Sequence, residues 1–395
     1  MKAFNFPFLT KVDMISNQKK KFSLPRGSIY LNGAYMSPLL KTVEKVGVEG
    51  IKRKRFPGGI SSKDFFSGTQ KLHAAFARLI NTKETERIVT IASASYGLAS
   101  VARNIEMDQR HNVIIAAQQF PSNVFPWMRL CEQHRSQLKS INPPESLMDR
   151  GKKWNERILE AIDKNTRLVA LGHVHWADGT KFDLLEIRKR TREVGALLVI
   201  DGTQSVGALP FDVSKIQPDA LVCAGYKWLL GPYSIGLAYY GAYFDAGKPI
   251  EENWINRKRS EDFTGLVNYQ NEYQPGASRY EVGERSNFIL VPMMTAALKQ
   301  INQWKPENIQ DYCAKISRAP IEQLRKAGFW VEDENFRGSH LFGVRLPKGA
   351  DLEKIKRGLK RERISVSVRG DALRISPHVY NSENDLMRLV KTLLR

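Results

Sequence analysis

The sequence predicts an α/β protein: a mostly parallel seven-stranded sheet with helices on both faces, followed by a small α+β domain at the C-terminus. Three observations lead there. Short apolar runs alternate with stretches of helical spacing from Arg87 to Tyr240, the pattern of strand–helix–strand units. Ala196–Ile200, Asp219–Ala224 and Ile235–Tyr240 are near-continuous apolar runs closed by Gly- or Pro-containing turns, as strands buried on both faces are. The chain of 395 residues is also too long for one ordinary core and suits a large domain plus a smaller one.

Taken in order, residues 1–28 read as an N-terminal arm on the body of the protein, packing on the small domain or on a partner subunit. Residues 29–285 form the large domain and residues 286–395 the small one. Ser28–Tyr35 is a short strand ending in a polar turn. Pro38–Arg55 and Lys63–Ile80 have helical spacing, with Ser61 or Ser62 as a cap for the second. Arg87–Ala92 is the first sheet strand, and the small-residue turn Ser93-Ala94-Ser95 feeds a helix running to about Asp108. Asn112–Ala116, Gln137–Ile141 and Arg167–Leu171 are further strands, with a helix at Trp154–Ile162. Phe182–Val194 is an amphipathic helix leading to the three central runs. An apolar helix ends near Trp304. Beyond Asn308 the order is helix, two strands, helix, two strands, helix, with His340–Leu346 and Ile364–Val368 the clearest strands.

Composition sets bounds. Hydrophobic residues at 42% and charged residues at 26% are ordinary globular values. No apolar run approaches the ~18 residues that a membrane span needs. Met1–Met14 lacks a basic segment followed by an apolar core, so no signal peptide is expected. Three scattered cysteines, Cys131, Cys223 and Cys313, favour reduced thiols and a cytoplasmic setting. The net charge of +20 is gathered at Lys19–Lys21, Lys52–Arg55, Arg257–Arg259 and Lys356–Arg363. These clusters read as solvated faces. No aromatic–basic interleaving of an RNA-binding kind accompanies them, so nucleic acid is the second reading.

The chemistry lies at the carboxyl ends of the central strands, where ligands bind in parallel sheets. There the chain places Asp201-Gly-Thr-Gln204 and, 26 positions after Asp201, Gly225-Tyr226-Lys227. A lysine for a Schiff base and a carboxylate to keep a pyridine nitrogen protonated are what pyridoxal 5′-phosphate (PLP) requires. The Ser93–Ser95 turn offers backbone N–H groups and a positive dipole end to a phosphate. No thiol or further carboxylate completes a metal-ligand set beside His173, His175 and Asp178, so no metal is expected.

Together, Asp201-Gly-Thr-Gln204, Ala224-Gly-Tyr-Lys227 and Gly231-Pro232 resemble the cofactor site of the class V aminotransferase family. This is a group of fold-type-I PLP enzymes that includes cysteine desulfurases, kynureninases and isopenicillin-N-epimerase-like proteins. The resemblance covers nearly the whole chain from Ser28 onward. It implies that Lys227 is the catalytic lysine and that Asp201 faces the ring nitrogen. Gln204 would donate to the phenolic oxygen, and Ala94, Ser95 and Tyr226 would hold the phosphate. Gln118-Gln-Phe120-Pro-Ser follows the kynureninase-like pattern, so Phe120 would stack on the ring. His175 or Trp176 would lie near the phenolic oxygen. Asn32 and Tyr35 would line the substrate mouth, although a plain strand-turn explains them equally well. Arg374, in Arg-Ile-Ser before Tyr380-Asn381, would grip an amino-acid carboxylate. Arg285 or Ser286 would reach the phosphate of the neighbouring subunit, which makes the active unit a homodimer with a shared site.

What the resemblance implies is an enzyme acting at the α-carbon of an amino acid, with Lys227 moving the proton. Aminotransferase-like and lyase chemistry lead, with kynureninase-like hydrolysis and epimerisation as alternatives. Cysteine desulfurase is disfavoured, because Arg361–Leu373 contains no cysteine and the family's stacking histidine is replaced by Phe120. A catalytically inactive binding protein of the same fold is the alternative from another class. The presence of Asp201, Lys227 and Arg374 argues against it.

Overall fold

The computed structural model describes residues 15–395. The segment in which a signal peptide was sought, and half of the arm, lie outside the described residues. The rest of the arm lies on the body: Phe22 is buried against Trp304 and edge-on to Tyr380, and Gln18 N–H donates to the Val379 carbonyl at 2.7 Å.

Strand β1 (Ile29–Tyr30) is followed by helices α1 (Lys41–Arg53) and α2 (Asp64–Leu79), which pack against α8 (Leu290–Trp304). Ser61 does not cap α2 with its own oxygen. The roles are reversed, and the Asp64 carboxylate accepts from the Ser61 N–H at 2.8 Å and hydroxyl at 2.9 Å.

The central sheet contains β2 (Ile88–Ile91), β3 (Asn112–Ala116), β4 (Gln137–Ile141), β5 (Thr166–Gly172), β6 (Leu197–Asp201), β7 (Ala220–Ala224) and β8 (Gly236–Tyr240), in the order β2-β8-β7-β6-β5-β3-β4. All pairs are parallel except those of β8, which runs antiparallel to both β7 and β2. Alternate side chains feed opposite faces. Val113, Ile115, Ala220 and Val222 enter one core, while Ile114, Ala116, Leu221 and Cys223 enter the other. Each fully buried Val, Leu or Ile contributes roughly 1.5–3 kcal/mol, and the central strands are accordingly mostly apolar.

The connecting helices are α3 (Ala94–Ala102), α4 (Phe125–His134), α5 (Arg150–Ala161), α6 (Leu184–Val194) and the single turn α7 (Val213–Ile216). Helix α3 ends at Ala102, short of the expected Asp108. Asn104 stops it there, its side chain donating to the carbonyls of Ser100 and Lys248.

After α9 (Pro306–Lys326) come β9 (Trp330–Val331), β10 (Phe342–Arg345), α10 (Leu352–Arg361), β11 (Ile364–Ser365), β12 (Ser367–Arg369), β13 (Ala372–Ile375) and α11 (Glu383–Leu393). The expected strand Ile364–Val368 is divided in two. Its first half pairs in parallel with β1, and its second joins the four-stranded sheet β12-β13-β10-β9. The hydrophobic clusters therefore divide the chain differently from the cuts at 28 and 285. Ile29 and Leu31 belong to the small-domain core, whereas Val291, Met294 and Leu298 of α8 belong to the large one.

Candidate active site

Five strand ends converge on one cavity of about 300 Å³, lined by residues following β2, β3, β5, β6 and β7, at the low end of the range for ligand pockets. Ala94, Ser95, Phe120, His175, Asp201, Gln204, Tyr226 and Lys227 all line it.

The β2 end turns directly into α3. Ser93 caps the helix, its Oγ accepting from the Tyr96 N–H at 3.1 Å and lying 2.9 Å from Ser95 Oγ. The first-turn N–H groups have no helical partner and face the cavity with the dipole's positive end. Gly97 lets this helix approach the sheet, because a Cβ there would lie 2.8 Å from Val222 and 3.0 Å from Ile91.

At the β6 end, Asp201 Oδ1 accepts from the Thr203 N–H at 2.9 Å, and Thr203 Oγ1 in turn accepts from the Ala224 N–H at 3.0 Å. The ends of β6 and β7 are thus tied side by side. Burial raises the Asp201 pKa, partly offset by the bonds from Thr203 and the charge of Lys227. Lys227 is 6% exposed, and its Nζ lies 5.3 Å from the Phe120 ring centre and 5.5 Å from that of Tyr226. Burial pushes its pKa down to about 8. Asp201 opposes that shift, while the charges of Arg374 and Arg369 add to it.

Gln204 is anchored on three sides. Its Nε2 donates to the Ala34 carbonyl at 3.1 Å, its Oε1 accepts from Trp228 Nε1 at 3.0 Å, and its backbone carbonyl contacts His340. One amide hydrogen is left for a ligand.

His175 and Trp176 both lie on the wall, but neither presents a free donor. His175 places Nδ1 3.2 Å from Asp178 and Nε2 3.2 Å from the Ala117 carbonyl. Burial would raise the Asp178 pKa, yet His175 and Arg150 together hold it well below the usual carboxylate range. Trp176 Nε1 donates to the Gln118 carbonyl at 2.7 Å, and its ring meets Phe120 edge-on at 5.4 Å. Their hydrogen bonds bind the β3 and β5 loops to each other.

Arg374, on β13, is 1% exposed. Its Nη1 donates to the Trp176 carbonyl at 2.9 Å, while Nε and Nη2 are buried without partners. Burial and the charge of Arg369 push its pKa down to about 10. A buried guanidinium with two unmet donors calls for an anion. Asn32 and Tyr35 do not line the cavity. Asn32 Oδ1 accepts from Ser367 at 2.8 Å, and Tyr35 is 56% exposed. Their segment still forms a lip over the site, since Ala34 holds Gln204 and the Ser37 N–H donates to the Tyr226 carbonyl.

Ser286 lies away from the cavity of its own chain and donates to the Phe65 carbonyl, while Arg285 pairs with buried Glu281 at 2.8 Å. Arg369, Trp228, His340 and Thr203 escape the sequence reading. Only Arg369 carried a signal, a second arginine five residues before Arg374.

Comparison with known proteins agrees with this architecture. The family model described as aminotransferase class-V matches residues 60–389. An uncharacterized aminotransferase of Bacillus subtilis, YcbU, is 25% identical over 84% of this chain and 85% of its own. A probable cysteine desulfurase of Methanothermobacter thermautotrophicus is 25% identical over 95% and 96%. Among solved structures, a C-DES mutant with glycine covalently linked to the PLP cofactor superposes with a TM-score of 0.85 at 18% identity, over 96% of this chain and 99% of that one.

Proposed function

Because this chain belongs to the aminotransferase class-V family, whose cofactor is pyridoxal 5′-phosphate, we propose that it holds PLP on Lys227 and acts at the α-carbon of an amino acid, as an aminotransferase or a lyase. One observation carries the reading: Lys227 is buried in the cavity, and Arg374, buried against the carbonyl of the wall residue Trp176, offers two unpartnered donors. That is one lysine for the cofactor and one fork for a carboxylate.

The residues present fit the cofactor. An anion cradle at α3, a buried carboxylate at Asp201 and an amine of lowered pKa at Lys227 line the same space. When bound, PLP supplies an electron sink for the α-carbon of the attached amino acid. The chain's own residues do the rest. The Ser93–Ser95 turn and Tyr226 hold the phosphate, joined by Ser286 of a second subunit. Asp201 supplies the charge facing the ring nitrogen, and Gln204 offers its remaining amide hydrogen to the phenolic oxygen. Phe120 covers the ring, and Arg374 fixes the substrate carboxylate. Burial lowers the pKa of Lys227 to about 8, so more of its amine is unprotonated near neutral pH than in an exposed lysine, as a base at the α-carbon requires. Asn32 and Tyr35 shape the mouth from the lip above Gln204.

A homodimer is supported by exposed rings at Phe56, Tyr233 and Tyr269 (75%, 61% and 93% exposed), which suit an interface. Transamination or elimination is favoured over sulfur transfer to a cysteine. Cys131, Cys223 and Cys313 are all buried, and none lines the cavity.

The test is the visible spectrum of the purified protein, alone and with a panel of amino acids, with keto-acid and ammonia assayed. Absence of a lysine-bound cofactor band overturns the assignment of Lys227. Keto-acid without ammonia identifies a transaminase, and ammonia or a cleaved side chain identifies a lyase.

A further inference from the structure

Arg374 is not the only guanidinium beside Trp176, a residue of the cavity wall. The β12–β13 pairing sets Arg369 opposite Ala372, so Arg369 and Arg374 are diagonal neighbours on one face of the sheet. Both lie over the ring of Trp176, at 5.4 and 5.9 Å from its centre. Like charges placed this way repel, and no carboxylate pairs with either among the described residues. Asp371, the nearest acid in sequence, is exposed and pairs with Arg345, and Asp178 pairs with Arg150 and Arg345. Arg369 spends Nη1 on the Val368 carbonyl at 2.8 Å and leaves Nε buried and unpartnered.

An α-carboxylate satisfies one of these two cations. Its two oxygens match the Nε/Nη2 fork of Arg374, and the second charge stays unmet. The cofactor's phosphate does not serve, because the Ser93–Ser95 turn at α3 is its proposed cradle. We propose that the substrate is a dicarboxylic amino acid and that Arg369 receives its side-chain carboxylate. This rests on the reading of Arg374 as the holder of the α-carboxylate. Arg369 is then a specificity residue: a neutral side chain leaves its charge uncompensated, and an acidic one neutralises it.

The experiment is calorimetric titration of the cofactor-loaded protein with two unreactive acids of equal length, succinate and butyrate. Succinate is expected to bind at least ten-fold more tightly. Arg369→Gln should bring succinate down to the level of butyrate while leaving butyrate within two-fold, and Arg369→Lys should restore part of the preference. Equal affinity for the two acids, or an Arg369→Gln effect that weakens both alike, overturns the proposal. The cofactor band recorded on the same samples judges the Lys227 reading separately, so the two failures are told apart.

Discussion

His340 Nε2 lies 2.8 Å from the backbone carbonyl of Gln204, and its Nδ1 lies 2.8 Å from the Gln310 amide nitrogen. Since Gln310 is the donor to Nδ1, the proton sits on Nε2 and is given to Gln204. A histidine at the edge of the small domain thus supports the turn that places Gln204 in the cavity, with Trp228 packed edge-on against it at 4.6 Å.

Replacing His340 with Ala leaves the Gln204 carbonyl and the Gln310 amide without this partner in a buried space. The expected loss is about 1–3 kcal/mol of stability, read as a lower denaturation midpoint. A displaced visible cofactor band should accompany it, because Gln204 loses one of its anchors. An unchanged band with an unchanged midpoint would refute the supporting role.

Acid should unfold the protein before its carboxylates protonate. Burial holds His340 at about 4 and His173 and His378 at about 3, against an ordinary value near 6.5. In that interval the unfolded chain binds protons that the folded one refuses, so stability falls as pH drops from about 6.5 toward 4. Urea midpoints measured across pH 7 to 4 check this. A flat profile would mean that these rings take up protons in place.

Lys227 gives a slope of the same sign in alkali. Its ammonium, costly to bury, is lost near pH 8 in the folded chain and near 10.5 in the unfolded one. A penalty of about 3 kcal/mol is therefore relieved as pH rises through that window. The direct check is attachment of PLP to the cofactor-free protein, trapped by borohydride. The rate should rise with a midpoint near pH 8, and Arg374→Met should move that midpoint upward by removing a repelling charge.

Arg374→Met should separate function from stability. The natural residue buries a charge with two unmet donors, so an apolar replacement is expected to raise the melting temperature of the cofactor-free protein, by the equivalent of about 1–3 kcal/mol. The same change removes the carboxylate fork and should cut kcat/KM for the amino acid by roughly 10²-fold or more. A destabilised variant with intact kcat/KM would contradict both expectations.

The central strands were legible because they are buried on both faces: Asn112–Ala116 is matched in full and Asp219–Ala224 to within one residue. Helix α4 is absent from the sequence reading, although Pro126 in its first turn is an ordinary starting signal. The cavity wall was legible where chemistry concentrates at strand ends, as at Asp201 and Lys227. His340 was not, since its contact with Gln204 spans 136 positions and leaves no periodic trace. His175 shows the limit of position alone: it lines the cavity as expected, yet both ring nitrogens face acceptors of the protein itself.

The antiparallel strand β8 has a consequence for synthesis. β2 lies at one edge of the sheet, and β8 is its neighbour there, so the strand that carries the anion cradle into α3 has no partner until Tyr240 has left the ribosome. A nascent chain halted at Leu230 already contains Lys227, and β7 for α3 to pack on, but leaves β2 unpaired. Pairing strands so distant along the chain is slow, and cofactor capture therefore belongs to the last stage of folding, after the lysine has been made and has waited.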